Sequence, residues 1–438
     1  MTNSFEHDAG KAECRLTVRS SQPAAPRSPS KVNQGLSMLK SIWSACANRA
    51  TALVALGMLT LSGMSSAQAA PTITPTGPTY SCNALYAVNA QGVVGTYPGA
   101  IDIGVWKIMD YTGGTPTLLN PAELVYKAAS FDDWVATGIG GQTLAIGYRG
   151  GEGNGPLAMY SWGIDSNDYQ YMYYVLGDGA ATQAIKLPPM GAFPTPAGIS
   201  AFPSGEVYQK TGEVFLAGPQ SGSNTALRIR RYNPVTGAII DSGQILPEHS
   251  SDAGMVGFQG DMAIDAEGSI YMLALDRVGG NPWLVRIKPG GNGSGWTYNK
   301  VFQISGISFS TSAVDYQAIY GMAFLGGKLF VAQGTDIFQI DLFTHLATRV
   351  GTPPITDYDG VRLYDLASCQ TAPVIKGKVY NDADADGVIS GSESGVAGVT
   401  VELYKAGSNT PVTVQQTSGG GEYTFIVDDY NATYYVRL

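Results

Sequence analysis

The chain has 438 residues, with 56 Gly, 25 Tyr and only 14% charged residues. That length allows two or more domains with well-buried cores, and the usage suits many short strands and tight turns better than helices. A formal charge of −9 argues against nucleic acid and anionic membrane surfaces as partners, because both select basic faces.

Residues 1–69 differ from the rest. They are basic and rich in Ser and Pro, then apolar in "TALVALGMLTL" (51–61), then small in "SSAQAAP". A charged approach, an apolar run too short to span a bilayer and a small-residue site predict a secretory signal peptide with an extended N-region, cut after Ala69. Whether translation begins at Met1 or Met38 stays open. Removing 1–69 takes away seven Lys/Arg and three Asp/Glu and leaves a balance near −13. It also removes Cys14 and Cys46, so Cys82 and Cys369 remain in an exported chain and should pair.

Residues 70–81 read as a linker, and 82–369 carry a weak internal repeat. The segments 205–218, 260–274 and 320–332 share one grammar, a short apolar strand, a Gly-containing turn and a second strand with an aromatic residue. A third strand follows each in "ALRIRRYNPVTG", "WLVRIKPGG" and "DIFQIDLFTH", and a fourth in "GQIL", "KVFQI" and "ATRVG". A degenerate unit precedes them in "DWVATGIGGQTLAIGYRG", "LAMYSWGID" and "YQYMYYVL". The two ends complement each other: "YDGVRLYDLASC" (358–369) reads as a first strand without a second, while 82–92 and 105–114 read as second and third strands without a first.

Four-stranded units repeating in this way predict an all-β β-propeller of five blades, with six as the alternative. The closing blade would take its first strand from the C-terminal end of the domain. Its Cys82–Cys369 disulfide would stand where the other blades have a hairpin turn. The region resembles the propeller-like domains at the N-terminus of large bacterial surface proteins, where a Cys near the mature start and a "DLASC"-like ending precede immunoglobulin-like repeats.

After a short linker (370–373), residues 374–438 read as strands in "VIKGKVYND", "GVAGVTVELYKAG", "PVTVQQTSGGGEYTFIV" and "TYYVRL". The first two are joined by "NDADADGVISGSE" (381–393), which has the spacing of a twelve-residue calcium loop. Asp382, Asp384 and Asp386 fill its first, third and fifth positions, the Val388 carbonyl the seventh, Ser390 the ninth through a water, and Glu393 the twelfth; Gly387 permits the sharp turn. Hard oxygens at this spacing suit Ca2+ better than zinc or copper. With strands on both sides, the ion has no helix pair to open, so the loop reads as a staple rather than a sensor.

The segments 377–404, 419–425 and 434–438 resemble the B-type repeat of bacterial surface adhesins, the serine-aspartate repeat protein B domain. The resemblance implies a transthyretin-like β-sandwich, the Asp and Glu residues of the loop as calcium ligands, and a stiff spacer. Related collagen-adhesin B domains carry a Lys to Asn crosslink supported by a Glu, for which Lys376 or Lys378 with Glu402 are the conceivable members here, although no Asn follows the last strand.

Enzyme signatures are sparse. Two histidines, His249 and His345, lie beyond residue 69, too few for most metal or general-base clusters. His249 with Glu248 and Asp252 is the best catalytic grouping, Asp132 and Asp133 are a second, and His345 reads as an exposed turn residue. The sequence therefore predicts a secreted or cell-surface protein without catalytic residues, acting in adhesion or surface architecture on an extracellular protein or glycan. A propeller-fold hydrolase or lyase on a stalk, or a glycan-binding propeller, is the alternative.

Overall fold

The computed structural model describes residues 16–19, 79–90, 103–112, 114–127, 144–152, 154–164, 170–177, 185–188, 204–219, 227–276, 279–307, 321–355, 363–385, 387–391 and 393–438. The expected cleavage site, Asp132, Asp133 and Asp386 lie outside them. Among the described residues the chain is all-β, with one three-residue 3-10 turn and no α-helix. None of their helices is long and apolar enough to cross a membrane.

The first strand, β1 (Leu16–Arg19), falls within the segment expected to be removed on export. Next come β2 (Ala84–Ala90), β3 (Ile103–Asp110) and β4 (Thr117–Lys127). Sheet A follows, with β5 (Ala145–Tyr148), β6 (Leu157–Ile164), β7 (Gln170–Leu176) and β8 (Ile185–Lys186). Sheet B holds β9 (Ser204–Tyr208), β10 (Glu213–Pro219), β11 (Leu227–Tyr232) and β12 (Ile239–Asp241). Sheet C is built from β14 (Met255–Ile264), β15 (Ile270–Asp276), β16 (Gly279–Lys288) and β17 (Thr297–Gln303), with the short β13 (Leu246–Pro247) added parallel to β17. Sheet D is β18 (Gly321–Leu325), β19 (Lys328–Gln333), β20 (Asp336–Ile340) and β21 (Ala347–Gly351). Finally β22 (Leu363–Ala367) returns to pair with β2, giving sheet E the order β22-β2-β3-β4.

Apart from the parallel β13 in sheet C and the late-arriving β22 in sheet E, each sheet is an antiparallel meander, as the repeated hairpin grammar predicts. Phe215, Tyr271 and Phe330 occupy equivalent places on the second strands, opposite Glu206, Ala263 and Ala323, and all three are fully buried. Burying a side chain such as Phe stabilises by roughly 1.5 to 3 kcal/mol. One strand assignment is corrected: the fourth strand of sheet B is Ile239–Asp241 rather than "GQIL", whose last residue instead begins β13.

The cores lie between sheets. One apolar cluster joins A to B, a second B to C, a third C to D, a fourth D to E and a fifth E back to A. The first strands of the sheets neighbour one another in the same order, β5, β9, β14, β18 and β22, and β22 is again beside β5. In sheet E the β22–β2 pairing is accompanied by the disulfide Cys82–Cys369, with Cα atoms 4.9 Å apart. The bond links the start of β2 to the end of β22, where the other sheets have their first hairpin.

Residues 374–438 form two small facing sheets, β23 (Val374–Lys378) with β26 (Glu422–Ile426), and β27 (Thr433–Arg437) with β24 (Thr400–Lys405) and β25 (Thr413–Gln416). β1 pairs antiparallel with the free side of β27, Leu16 opposite Val436. Ile375, Val401, Leu403, Phe425, Tyr434 and Val436 fill the space between the sheets. The connection 370–373 is pinned rather than loose: Asp265 bridges to Ala372 and Phe324 to Gln370, the Tyr430 hydroxyl donates to the Thr371 carbonyl, and Ile426 joins the core between sheets C and D. Lys328 and Asp428 close the junction with an ion pair at 3.0 Å.

Candidate metal centre

The connection between β23 and β24 begins where Tyr380 bridges to Gly395 and Asn381 N–H donates to the Ser394 carbonyl. Gly395 allows that closure, because a Cβ there would sit 1.7 Å from the Gly420 carbonyl oxygen. Within the loop, Ala385 (φ +56°) and Gly387 (φ +73°) are left-handed and reverse the chain sharply. Carboxylate oxygens of Asp382, Asp384 and Glu393 all lie within 4.8 Å of one another.

Backbone donors hold these carboxylates in place. Gly387 N–H donates to Asp382 Oδ2 at 3.0 Å, Ala383 N–H to Glu393 Oε1 at 3.0 Å and Ser390 N–H to Glu393 Oε2 at 2.8 Å. Glu393 thus reaches back across the loop and spans both of its halves. Three of the expected ligands are gathered, Asp386 lies outside the described residues, and Ser390 and Val388 follow the turn, the Val388 side chain being exposed. The donor set is oxygen only, which fits Ca2+. Three carboxylates so close repel one another, and a divalent cation offsets that repulsion.

The crosslink candidates point elsewhere. Lys376 pairs with Glu267 at 2.9 Å, away from the sandwich core, and Glu402 accepts the Tyr404 hydroxyl at 2.6 Å.

In the His249 grouping the two carboxylates have structural partners. Lys288 holds Glu248 at 2.7 Å, and Asp252 accepts the backbone N–H groups of His249 and Lys300. His249 itself is exposed. His345 is not simply an exposed turn residue: it is left-handed (φ 60°) and its ring stacks on Phe302 with centroids 4.1 Å apart. Burial lowers its pKa.

A second acidic group was not legible in the sequence. Asp261 on β14 and Asp365 on β22 have no exposed surface, and Glu206 on β9 has 4%. All three sit on first strands, where the sheets converge. Asp365 Oδ2 accepts Leu144 N–H at 2.6 Å and Oδ1 accepts Leu366 N–H at 2.9 Å. Asp261 Oδ1 accepts Gly205 N–H at 3.2 Å, and Glu206 Oε1 accepts Val207 N–H at 2.7 Å. Burial pushes all three carboxyls up, Asp261 to about 8. Their signal in the sequence is a lone acid followed by apolar residues within a first strand, "GDMAI" and "YDLAS".

No protein-family model and no curated protein matches the sequence. Among solved structures, the chain is similar to PorZ, a bacterial surface component of the type-IX secretion system of Porphyromonas gingivalis, at 12% identity and a TM-score of 0.31, over 84% of this chain and 57% of that one. It is also similar to a glycoside hydrolase family 43 arabinoxylan arabinofuranohydrolase from Bacillus subtilis, at 8% identity and a TM-score of 0.27, over 81% of this chain and 75% of that one.

Proposed function

We propose that the chain is a secreted or cell-surface protein that acts without catalysis, in adhesion or surface architecture. A five-bladed β-propeller (82–369) is its presented head, and a calcium-stapled β-sandwich (374–438) is its spacer. The closed order of sheets A to E and their five shared cores support the propeller. The observation that carries the functional reading is the gathering of Asp382, Asp384 and Glu393 in a connection between two strands. A cation there stiffens a sandwich and moves no helix, which suits a spacer. Extracellular sites of this kind bind calcium at about 0.1 to 1 mM and stay filled outside the cell.

The test is calorimetric titration of the full chain with calcium, with thermal melts at zero and at about 2 mM ion, a concentration above that extracellular range. Saturable binding and a raised transition are expected. A site of Kd about 0.1 mM stabilises by about 2 kcal/mol at that concentration. Glu393→Ala should remove both effects while leaving the tryptophan fluorescence of 82–369 unchanged. Absence of heat and of any shift would reduce the loop to a solvated acidic turn and remove the main support for the spacer.

A further inference from the structure

The buried carboxyls of the first strands carry an inference independent of the calcium loop. Three of the four oxygens of Asp261 and Asp365 accept backbone N–H groups, and these come from β9, from the residue leading into β5 and from β22. The fourth, Asp261 Oδ2, is buried without a hydrogen bond of good geometry, although the backbone N–H groups of Met262 and Met322 also act on the Asp261 carboxyl. The two side chains interact directly, and β18 between their strands opens with Gly321. A Cβ on Gly321 would lie 2.3 Å from Leu366 N and 2.7 Å from the Asp365 carbonyl carbon. Glycine at this position lets β22 close onto β18 and brings Asp365 to Asp261.

Two ionised carboxylates in contact and out of water repel strongly, and a cation shell is hard to build where the other oxygens already face N–H donors. A proton is the species that fits. We propose that Asp261 and Asp365 share a proton held between Asp261 Oδ2 and the Asp365 carboxyl, and that this proton is a pH-sensitive latch on the ring of first strands. Ionising the second carboxyl leaves two adjacent buried charges and loosens the contact between β14, β18 and β22.

The surrounding groups do not supply an alternative counter-charge among the described side chains. Glu206 on β9 faces Asp261 and is itself acidic. On the other packed strands, Glu213 is tied to Arg231, Lys328 to Asp428, Tyr271 to Asp265, Tyr208 to the Ala266 carbonyl and Tyr86 to Ser81 N–H. Tyr148 of β5 lies at Cys82. β18 carries no titratable residue.

The sign follows from the direction of the shift. A carboxyl that keeps its proton when folded, but releases it near pH 4 when unfolded, contributes fully below that pH and loses its contribution as pH rises toward 8. One such proton changes the folding equilibrium about tenfold per pH unit inside that window. The experiment is urea unfolding of the full chain with excess EDTA at intervals from pH 5 to 9, read by tryptophan fluorescence, because the tryptophans beyond residue 69 all precede residue 370.

Asp261→Asn places an amide N–H where the shared proton sits and keeps Oδ1 as the acceptor for Gly205. It is expected to fold and to lower the pH slope by one proton, about tenfold per unit; any slope left over belongs to Asp365 and Glu206, whose carboxyls burial also pushes up, and Glu206→Gln should remove the Glu206 share. Asp365→Asn should be the weaker folder, since its amide meets the N–H of Leu144 or Leu366. A wild-type stability that is flat from pH 5 to 9, or an Asp261→Asn slope equal to that of the wild type, would overturn the latch. If Asp261→Asn does not fold, the infrared carbonyl band of a protonated carboxyl in Glu206→Gln at pH 7, where the neighbouring buried acid is removed, decides: its presence supports the shared proton and its absence refutes it.

Discussion

Removing the disulfide by the double substitution Cys82→Ala and Cys369→Ala is expected to cost about 5 kcal/mol of stability in the chain-entropy limit, and about 2 to 4 if this bond behaves like most measured ones. The size follows from position. The two cysteines are 287 residues apart in sequence, and the bond closes nearly the whole length of sheets A to E into one loop. It also fixes the pairing of β22 with β2, on which the cores shared by sheet E with A and D depend. Urea unfolding followed by the fluorescence of buried Trp106 on β3 would measure it. A change smaller than about 0.5 kcal/mol, the usual scale of surface substitutions, would mean that sheet E closes by packing alone.

The second large effect is expected from adding one methyl group at Gly321. The Cβ of alanine would meet backbone atoms of β22, not the tip of a flexible side chain, so no rotamer change relieves the contact. Separating β18 from β22 disturbs the apolar cluster that includes Ala323, Leu325, Leu363 and Leu366. Overpacking of this kind costs about 1 to 3 kcal/mol. Gly321→Ala should therefore lower the urea midpoint with an unchanged slope, whereas Gly419→Ala, whose Cβ meets nothing within 4 Å and whose backbone, like that of Gly321, is not left-handed, should leave the midpoint almost where it is. Equal effects at the two positions would show that the close approach at Gly321 contributes nothing.

Much of this architecture is written in local pattern. The hairpins of sheets B, C and D follow from apolar alternation broken by Gly-containing turns, and the pairing of Cys82 with Cys369 follows from counting cysteines in an exported chain. β21 coincides with "ATRVG", because strand, turn and flanking Asp341 are all explicit there; Asp341 accepts the N–H groups of Phe343 and Thr344. The fourth strand of sheet B was misplaced because β12 is three residues long and contacts only β11, too short for periodicity to register. The pinned junction at 370–373 depends on partners such as Asp265, Phe324 and Tyr430, distant in sequence, which no local window links. The same holds for Asp261 and Asp365. An isolated acid beside a glycine or tyrosine reads as a solvated position, and only convergence of the first strands turns it into a buried one.

Sheet E has a further meaning for biosynthesis. On the proposed export route, β2, β3 and β4 emerge early, yet the strand that completes their sheet emerges only after sheets A to D. Until then the inner side of β2, later covered by β22, offers unpaired backbone groups, an edge onto which another chain could add. The Cys82 thiol waits equally long. Within residues 70–438 its only intramolecular mate is Cys369, so within this stretch oxidation has one intramolecular product. Competing products require a second molecule. On the proposed export route, oxidation would seal a chain only once its last inner strand has arrived.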